Sequence, residues 1–138
     1  MQRLIGLDLG SKTVGVAKSD LLKLVASVET TIFFQENDYQ QALHLVTDLI
    51  QKYDVEAIVL GLPKHMNGDI GIRGEISNDF KILLEEKGYK VILWDERLST
   101  KTAKQSLIAQ NVSRKKRKGL IDQVAAVVIL QSYLDSKL

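Results

Sequence analysis

Apolar positions near the start of the chain form two short runs, Leu4-Ile5-Gly6-Leu7 and Val14-Gly15-Val16-Ala17. They predict two strands joined through Gly10-Ser11-Lys12-Thr13, a hairpin with Asp8 closing its first apolar run. Leu24 to Phe34 is rich in β-branched and aromatic residues and predicts a third strand. The spacing then changes. Between Asp38 and Tyr53, residues Tyr39, Ala42, Leu43, Val46, Ile50 and Tyr53 share one helical face, with Asp38 as its N-cap. Val55 to Leu60 predicts a short strand ended by Gly61-Leu62-Pro63. From Lys64 to Gly74 the chain begins as a glycine-containing loop, after which Ile72, Ile76, Phe80, Leu83 and Leu84 mark a helix stopped at Gly88.

Tyr89 to Trp94 predicts a further strand that runs into Asp95-Glu96-Arg97-Leu98-Ser99-Thr100. Ser99 or Thr100 would cap a helix over Lys101 to Gln110, followed by a basic loop. Leu120 to Leu134 is apolar almost all round, the pattern of a helix packed deep against a sheet. The predicted order is βββαβαβαα. Three leading strands make an antiparallel meander, and the later strand–helix alternation requires parallel pairing through crossovers. The expectation is an α/β fold with a mixed sheet flanked by helices, its chemistry at the carboxyl ends of the strands.

The 138 residues suit one domain, 1–138, with one hydrophobic core. The chain has no cysteine, which excludes a disulfide framework and a thiolate zinc site and fits a reducing compartment. There is no signal-peptide pattern and no apolar run long enough for a bilayer, so a cytoplasmic protein without a membrane partner is expected. The net charge of +2 conceals a local feature. Arg114-Lys115-Lys116-Arg117-Lys118 carries five positive charges without an acid. Without those five, 14 basic residues face 17 acidic ones, a net of −3. Positive charge concentrated in this way attracts phosphate backbones.

Three acids stand where acids are costly. On the first strand Asp8 shares a side with Leu4 and Gly6, which is expensive for a charge without compensation. The bland alternative is a turn aspartate bonded to the backbone of Gly10 or Ser11. Asp95 and Glu96 end the last strand beside Arg97; a surface ion pair there would be worth little. One of the two should point towards the neighbouring strand, and Glu96, the longer, reaches back across the sheet end. Asp122 lies on the helical stripe of Ala125, Ala126, Ile129 and Tyr133, although a first-turn aspartate favoured by the helix dipole has the same appearance. Small residues at Ala125 and Ala126 would let that helix approach the sheet. Clustered carboxylates repel unless a cation sits among them. Oxygen-rich ligand sets suit magnesium or manganese. Two such ions can hold the attacking water and the leaving oxygen of a phosphodiester hydrolysis. Of the two histidines, His44 reads as structural or solvated, and His65 sits in a loop beside Lys64.

Four segments also resemble a known family. They are Asp8-Leu9-Gly10 with Val14-Gly15-Val16-Ala17-Lys18-Ser19-Asp20; Gly61-Leu62-Pro63 with Asn67-Gly68; Trp94-Asp95-Glu96-Arg97-Leu98-Ser99-Thr100; and Ile121-Asp122-Gln123-Val124-Ala125-Ala126. In this order they are similar to the YqgF/RuvX family, relatives of Holliday junction resolvases with an RNase H-like fold. The resemblance implies a five-stranded mixed sheet and a metal-dependent nuclease, usually assigned to 5′-end processing of pre-16S ribosomal RNA. It implies Asp8, Glu96 and Asp122 as both the catalytic and the metal-binding set. Asn67 stands where Asp is common, and asparagine serves a turn equally well.

Lys12, Lys64, Arg73 and Arg97 lie near the strand ends and are candidates to hold phosphates around the scissile bond. Arg114, Lys115, Lys116, Arg117 and Lys118 would form a flexible arm contacting backbone further away, which binds strongly but reads little sequence. RNA is the favoured partner, structured DNA the alternative, and the ribosomal link leaves room for a ribosomal partner. Three rivals remain. They are junction resolution with the same site, a non-catalytic nucleic-acid-binding module, and nucleotide binding of the actin and sugar-kinase type, whose phosphate hairpin Asp8 to Thr13 resembles. The last needs two lobes, and 138 residues provide one.

Overall fold

The computed structural model describes residues 2–63, 71–96 and 114–137, the last segment by its backbone alone up to residue 123. The elements are β1 (Arg3–Leu9), β2 (Thr13–Ser19), β3 (Ala26–Phe33), α1 (Tyr39–Ile50), β4 (Val55–Leu62), α2 (Ile72–Glu86), β5 (Val91–Asp95) and α3 (Arg114–Asp135). The strands form one five-stranded sheet in the order β3-β2-β1-β4-β5. The first three are antiparallel neighbours, whereas β1 with β4 and β4 with β5 are parallel. Hence β1, which carries Asp8, is the central strand.

Side-chain alternation assigns the two faces. Ile5, Leu7, Leu9, Val14, Val16, Ile58 and Leu60 pack under α1 and α2, against Ala42, Leu43, Val46, Ile50, Phe80 and Leu84. Leu4, Ala17, Ala57 and Val59 face α3 through Ala126, Ile129, Leu130 and Leu134. The second interface is built from smaller residues, so α3 comes close. A Cβ on Gly6 would stand 2.8 Å from Leu130 Cβ and 2.9 Å from the Ala126 carbonyl oxygen. Gly6 is thus the seat of α3, and it fixes the helix over the sheet.

Local signals act as their chemistry requires. The Asp38 carboxylate accepts the Gln41 N–H at 3.0 Å and caps α1. Past the end of α2, Gly88 adopts a φ of +95°, which glycine takes without steric cost. Three differences from the sequence pattern have physical reasons. β3 begins at Ala26 because Leu24 and Val25 donate their N–H groups to the Asp20 carboxylate, at 2.8 and 3.0 Å, and so form the turn. β4 continues through Gly61 to Leu62, paired with β5, rather than ending at Leu60. The basic run Arg114 to Lys118 is the start of α3 and not a flexible loop; lysine and arginine are strong helix formers and carry Gly119 along. The expected helix Lys101 to Gln110 and the loop with His65 and Asn67-Gly68 lie outside the described residues.

One irregularity shapes the open edge of the sheet. The register between β2 and β3 shifts where Val16 faces Thr30 and Ala17 faces Val28, leaving Glu29 as the extra residue of a bulge. Its carboxylate meets Lys18 at 3.1 Å, Lys52 at 3.0 Å and the Tyr53 hydroxyl at 2.6 Å. Among the described residues no helix is long and apolar enough to cross a membrane.

Candidate active site

Leu4, Gly6 and Asp8 alternate onto the α3 face of β1, and Asp8 is the last of them. On β5 the same rule separates the two adjacent acids. Val91 and Leu93 pack beneath α1 and α2, while Ile92 and Trp94 pack beneath α3. Asp95 therefore belongs to the first side, and Glu96 returns to the side of Asp8. Trp94 anchors the strand end: its indole N–H donates to Ser132 Oγ at 3.0 Å, and its ring meets Tyr133 edge-on at 5.4 Å.

Glu96 reaches back across the sheet as its length allows. It lies over Gly61, where a Cβ would stand 2.7 Å from Glu96 Cγ and 2.7 Å from Ile129 Cδ1. Leu60 pairs with Leu7, so Gly61 sits beside Asp8 in the next row. There the Glu96 and Asp8 carboxyl groups are hydrogen-bonded. Burial pushes the Glu96 carboxyl up to about 9, and the charge and hydrogen bond of Asp8 push the same way, as does Asp95 more weakly. The Arg73 guanidinium opposes them. Below about 9 Glu96 carries a proton, which its hydrogen bond with Asp8 favours. A divalent cation would take that place, and the hard oxygen donors suit magnesium or manganese.

The third predicted acid is placed only by its backbone. Gln131 of α3 accepts the Ala26 N–H at 2.8 Å, at the far end of β2 from the hairpin turn. From there α3 runs back over Gly6 at Leu130 and Ala126. Position 122 is one turn beyond Ala126, in the direction in which β1 goes from Gly6 to Asp8. Among the described residues no three His, Cys, Asp or Glu side chains converge as a metal site.

The site thus combines a strand-end acid on the central strand, a second acid seated on a glycine, and a close-packed last helix. The family model for RuvX, described as Holliday junction resolvase, matches residues 2–136. The chain belongs to the RuvX family. A relative from Geobacillus sp. (strain WCH70), which bears the name of a candidate pre-16S rRNA nuclease, is 54% identical over 136 residues, 98% of this chain and 99% of its own. Among solved structures, Thermus thermophilus RuvC in complex with a Holliday junction substrate superposes with a TM-score of 0.60 at 11% identity, covering 99% of this chain and 96% of that one. The fowlpox virus Holliday junction resolvase gives 0.58 at 16% identity, over 99% and 100%. At these identities the structures establish the fold, which is that of the RuvC-like resolvases.

The basic residues of this RuvX-family chain divide. Lys12 is exposed in the β1–β2 turn, where its carbonyl accepts the Phe34 N–H at 2.9 Å. Arg73 opens α2 and donates to the Leu9 carbonyl and to the Tyr39 hydroxyl, both at 3.0 Å. It ties α1 and α2 to the residue after Asp8 while its charge acts on Glu96. Arg114 to Lys118 begin α3, and Lys64 and Arg97 lie outside the described residues. Sequence reasoning missed Gly61, Gly6 and Tyr39 as parts of the site's support. A glycine inside an apolar strand run was the available signal, because it marks a close approach.

Proposed function

We propose that residues 1–138 act as one cytoplasmic nuclease domain that hydrolyses phosphodiester bonds with divalent metal, on the 5′ region of a pre-16S ribosomal RNA. The observation that carries this reading is the contact of Asp8 and Glu96, brought from separate strands to one face at the carboxyl end of the sheet. Nuclease activity is also what the family's description and its relative's name have in common.

In this reading Asp8, Glu96 and Asp122 would hold two magnesium or manganese ions, which would supply activation of the attacking water and stabilisation of the departing 3′ oxygen. Asp8 is rigid on the central strand. Glu96 is kept in reach by Gly61 and by the Trp94 anchor. Arg73 holds the end of β1 and supplies positive charge beside the acids. Lys12, Lys64, Arg97 and Arg114 to Lys118 hold substrate phosphates on either side.

The test is cleavage of end-labelled RNA and DNA by wild type and Asp8→Asn, each with magnesium, manganese or EDTA. The set includes a 5′-extended ribosomal precursor and a four-way junction. Metal-dependent cutting that the variant loses, with binding retained, is the expected result. Unchanged cleavage by Asp8→Asn removes Asp8 from the mechanism, and binding without cutting in any metal leaves a binding module. The family's description favours junction resolution as a second reading. Symmetric cuts across a junction need two sites, so a strictly monomeric protein counts against it.

A further inference from the structure

The chain has one Trp, four Tyr and three Phe. Seven of these rings are buried or half-buried in the fold; Phe33 alone is exposed, at 75%. Its neighbours Ile32 and Phe34 pack beneath α1 and α2, so Phe33 points to the opposite face, the one that carries Asp8. The strand register agrees. Asp8 pairs with Gly15 and Gly15 with Thr31, in one row across the sheet; Thr13 pairs with Phe33, one pleat further towards the open strand ends. Two strand spacings and one pleat put Phe33 ~12 Å from Asp8, the span of a few nucleotides. Beside it stands the exposed cation Lys12, whose carbonyl holds the Phe34 N–H at 2.9 Å.

An isolated exposed phenylalanine on an edge strand needs no explanation in itself. Here its position narrows the choice. It shares a face with the acids, and the turn that carries the exposed Lys12 is hydrogen-bonded to the next residue, Phe34. Aromatic rings next to cations along a path are how proteins grip single-stranded nucleic acid, because every base offers a π-face. We propose that Phe33 is a stacking platform for an unpaired base of the substrate strand, a few nucleotides from the scissile phosphate, with Lys12 on the adjoining phosphate. The proposal rests on the nuclease reading above, and it gives the site a grip on unpaired strands that does not depend on sequence.

The experiment measures binding of a single-stranded oligoribonucleotide to the full chain in EDTA, for wild type, Phe33→Leu and Phe33→Trp. A companion series of oligonucleotides carries one abasic position at each site in turn. Phe33→Leu keeps an apolar side chain but has no ring, and should weaken binding roughly fivefold to a hundredfold. Phe33→Trp should restore it. At one abasic position wild type and Phe33→Leu should become equal, which a merely structural role for Phe33 would not produce. Equal melting temperatures of the three proteins exclude a folding effect. If wild type binds and cuts and Phe33→Leu binds within about twofold of it, the stacking proposal alone is overturned. If wild type neither binds nor cuts RNA or DNA, the nuclease reading falls, and this proposal with it.

Discussion

The Glu96 side chain rests on the bare backbone of Gly61, with its Cγ 2.7 Å from where a Cβ on that glycine would be. Real Cβ contacts do not come that close, so Gly61→Ala must displace Glu96, Ile129 or both. Overpacking of this kind costs about 1–3 kcal/mol. Cleavage should fall further than that cost implies, by about tenfold or more, because small misplacements at a reacting centre are expensive. Thermal melts paired with cleavage rates check this; a variant that melts lower but cuts normally separates Glu96 from the reaction.

Gly6→Ala should act on the same site through α3. The new methyl meets Leu130 Cβ and the Ala126 carbonyl at under 3 Å, and a carbonyl cannot rotate away. The helix must lift or slide, at a similar cost of about 1–3 kcal/mol, carrying position 122 with it. Loss of both stability and cleavage is expected, and Leu130→Ala should not recover it, because the contact is with Cβ, which alanine keeps.

The raised Glu96 carboxyl gives a pH dependence of definite sign. Its ordinary value is 4.5, and in the fold it is pushed to about 9. The folded protein therefore holds a proton that the unfolded chain releases, a contribution present in full below 4.5 and lost as pH rises through about 9. In EDTA the melting temperature should decline across that interval, and Glu96→Gln should flatten the decline. Magnesium should raise the melting temperature more at high pH than at low, since it competes with that proton.

Glu29 has the opposite sign. Burial pushes its carboxyl up, but hydrogen bonds from Tyr53, Lys52 and Lys18 together outweigh burial and hold it at about 2. Its contribution is present above 4.5 and lost as pH falls towards about 2. Glu29→Gln should cost about 1–3 kcal/mol at neutral pH and make the acid limb of a stability–pH curve shallower, with cleavage per folded molecule unchanged.

Replacing Arg114 to Lys118 with glutamines should weaken RNA binding while preserving the rate of cleavage at saturation. The slope of log affinity against log salt should decrease by about 0.7 for each single-strand phosphate that the protein ceases to neutralise. An unchanged slope would remove the segment from the interface.

The meander and the parallel half of the sheet were legible because alternation and helical spacing act locally. Asp38, for example, caps its helix within three residues, at 3.0 Å. The choice between Asp95 and Glu96 was legible in part: length favoured Glu96, but the face it occupies depends on where β5 ends. The roles of Gly61 and Gly6 were not readable as such, since each depends on a partner about 35 to 125 residues away being brought within 3 Å. The basic run read as a loop because charge is a solvent signal as well as a helical one, and here the helix of which it is the first turns decides. Phe33 read simply as a strand residue. Its exposure follows from the edge position of β3, which only the strand order reveals.

The strand order has a further consequence. Asp8 is on the innermost strand, hydrogen-bonded on both sides, whereas Glu96 follows β5, which among the described residues has a neighbour on one side only. Amide hydrogen exchange should be slowest along β1 and faster along β5, because outer segments open without the whole molecule unfolding. The two acids therefore belong to different layers of stability. A fluctuation that freed β5 would take Glu96 away and leave Asp8 in position, so the site would come apart and re-form from one side.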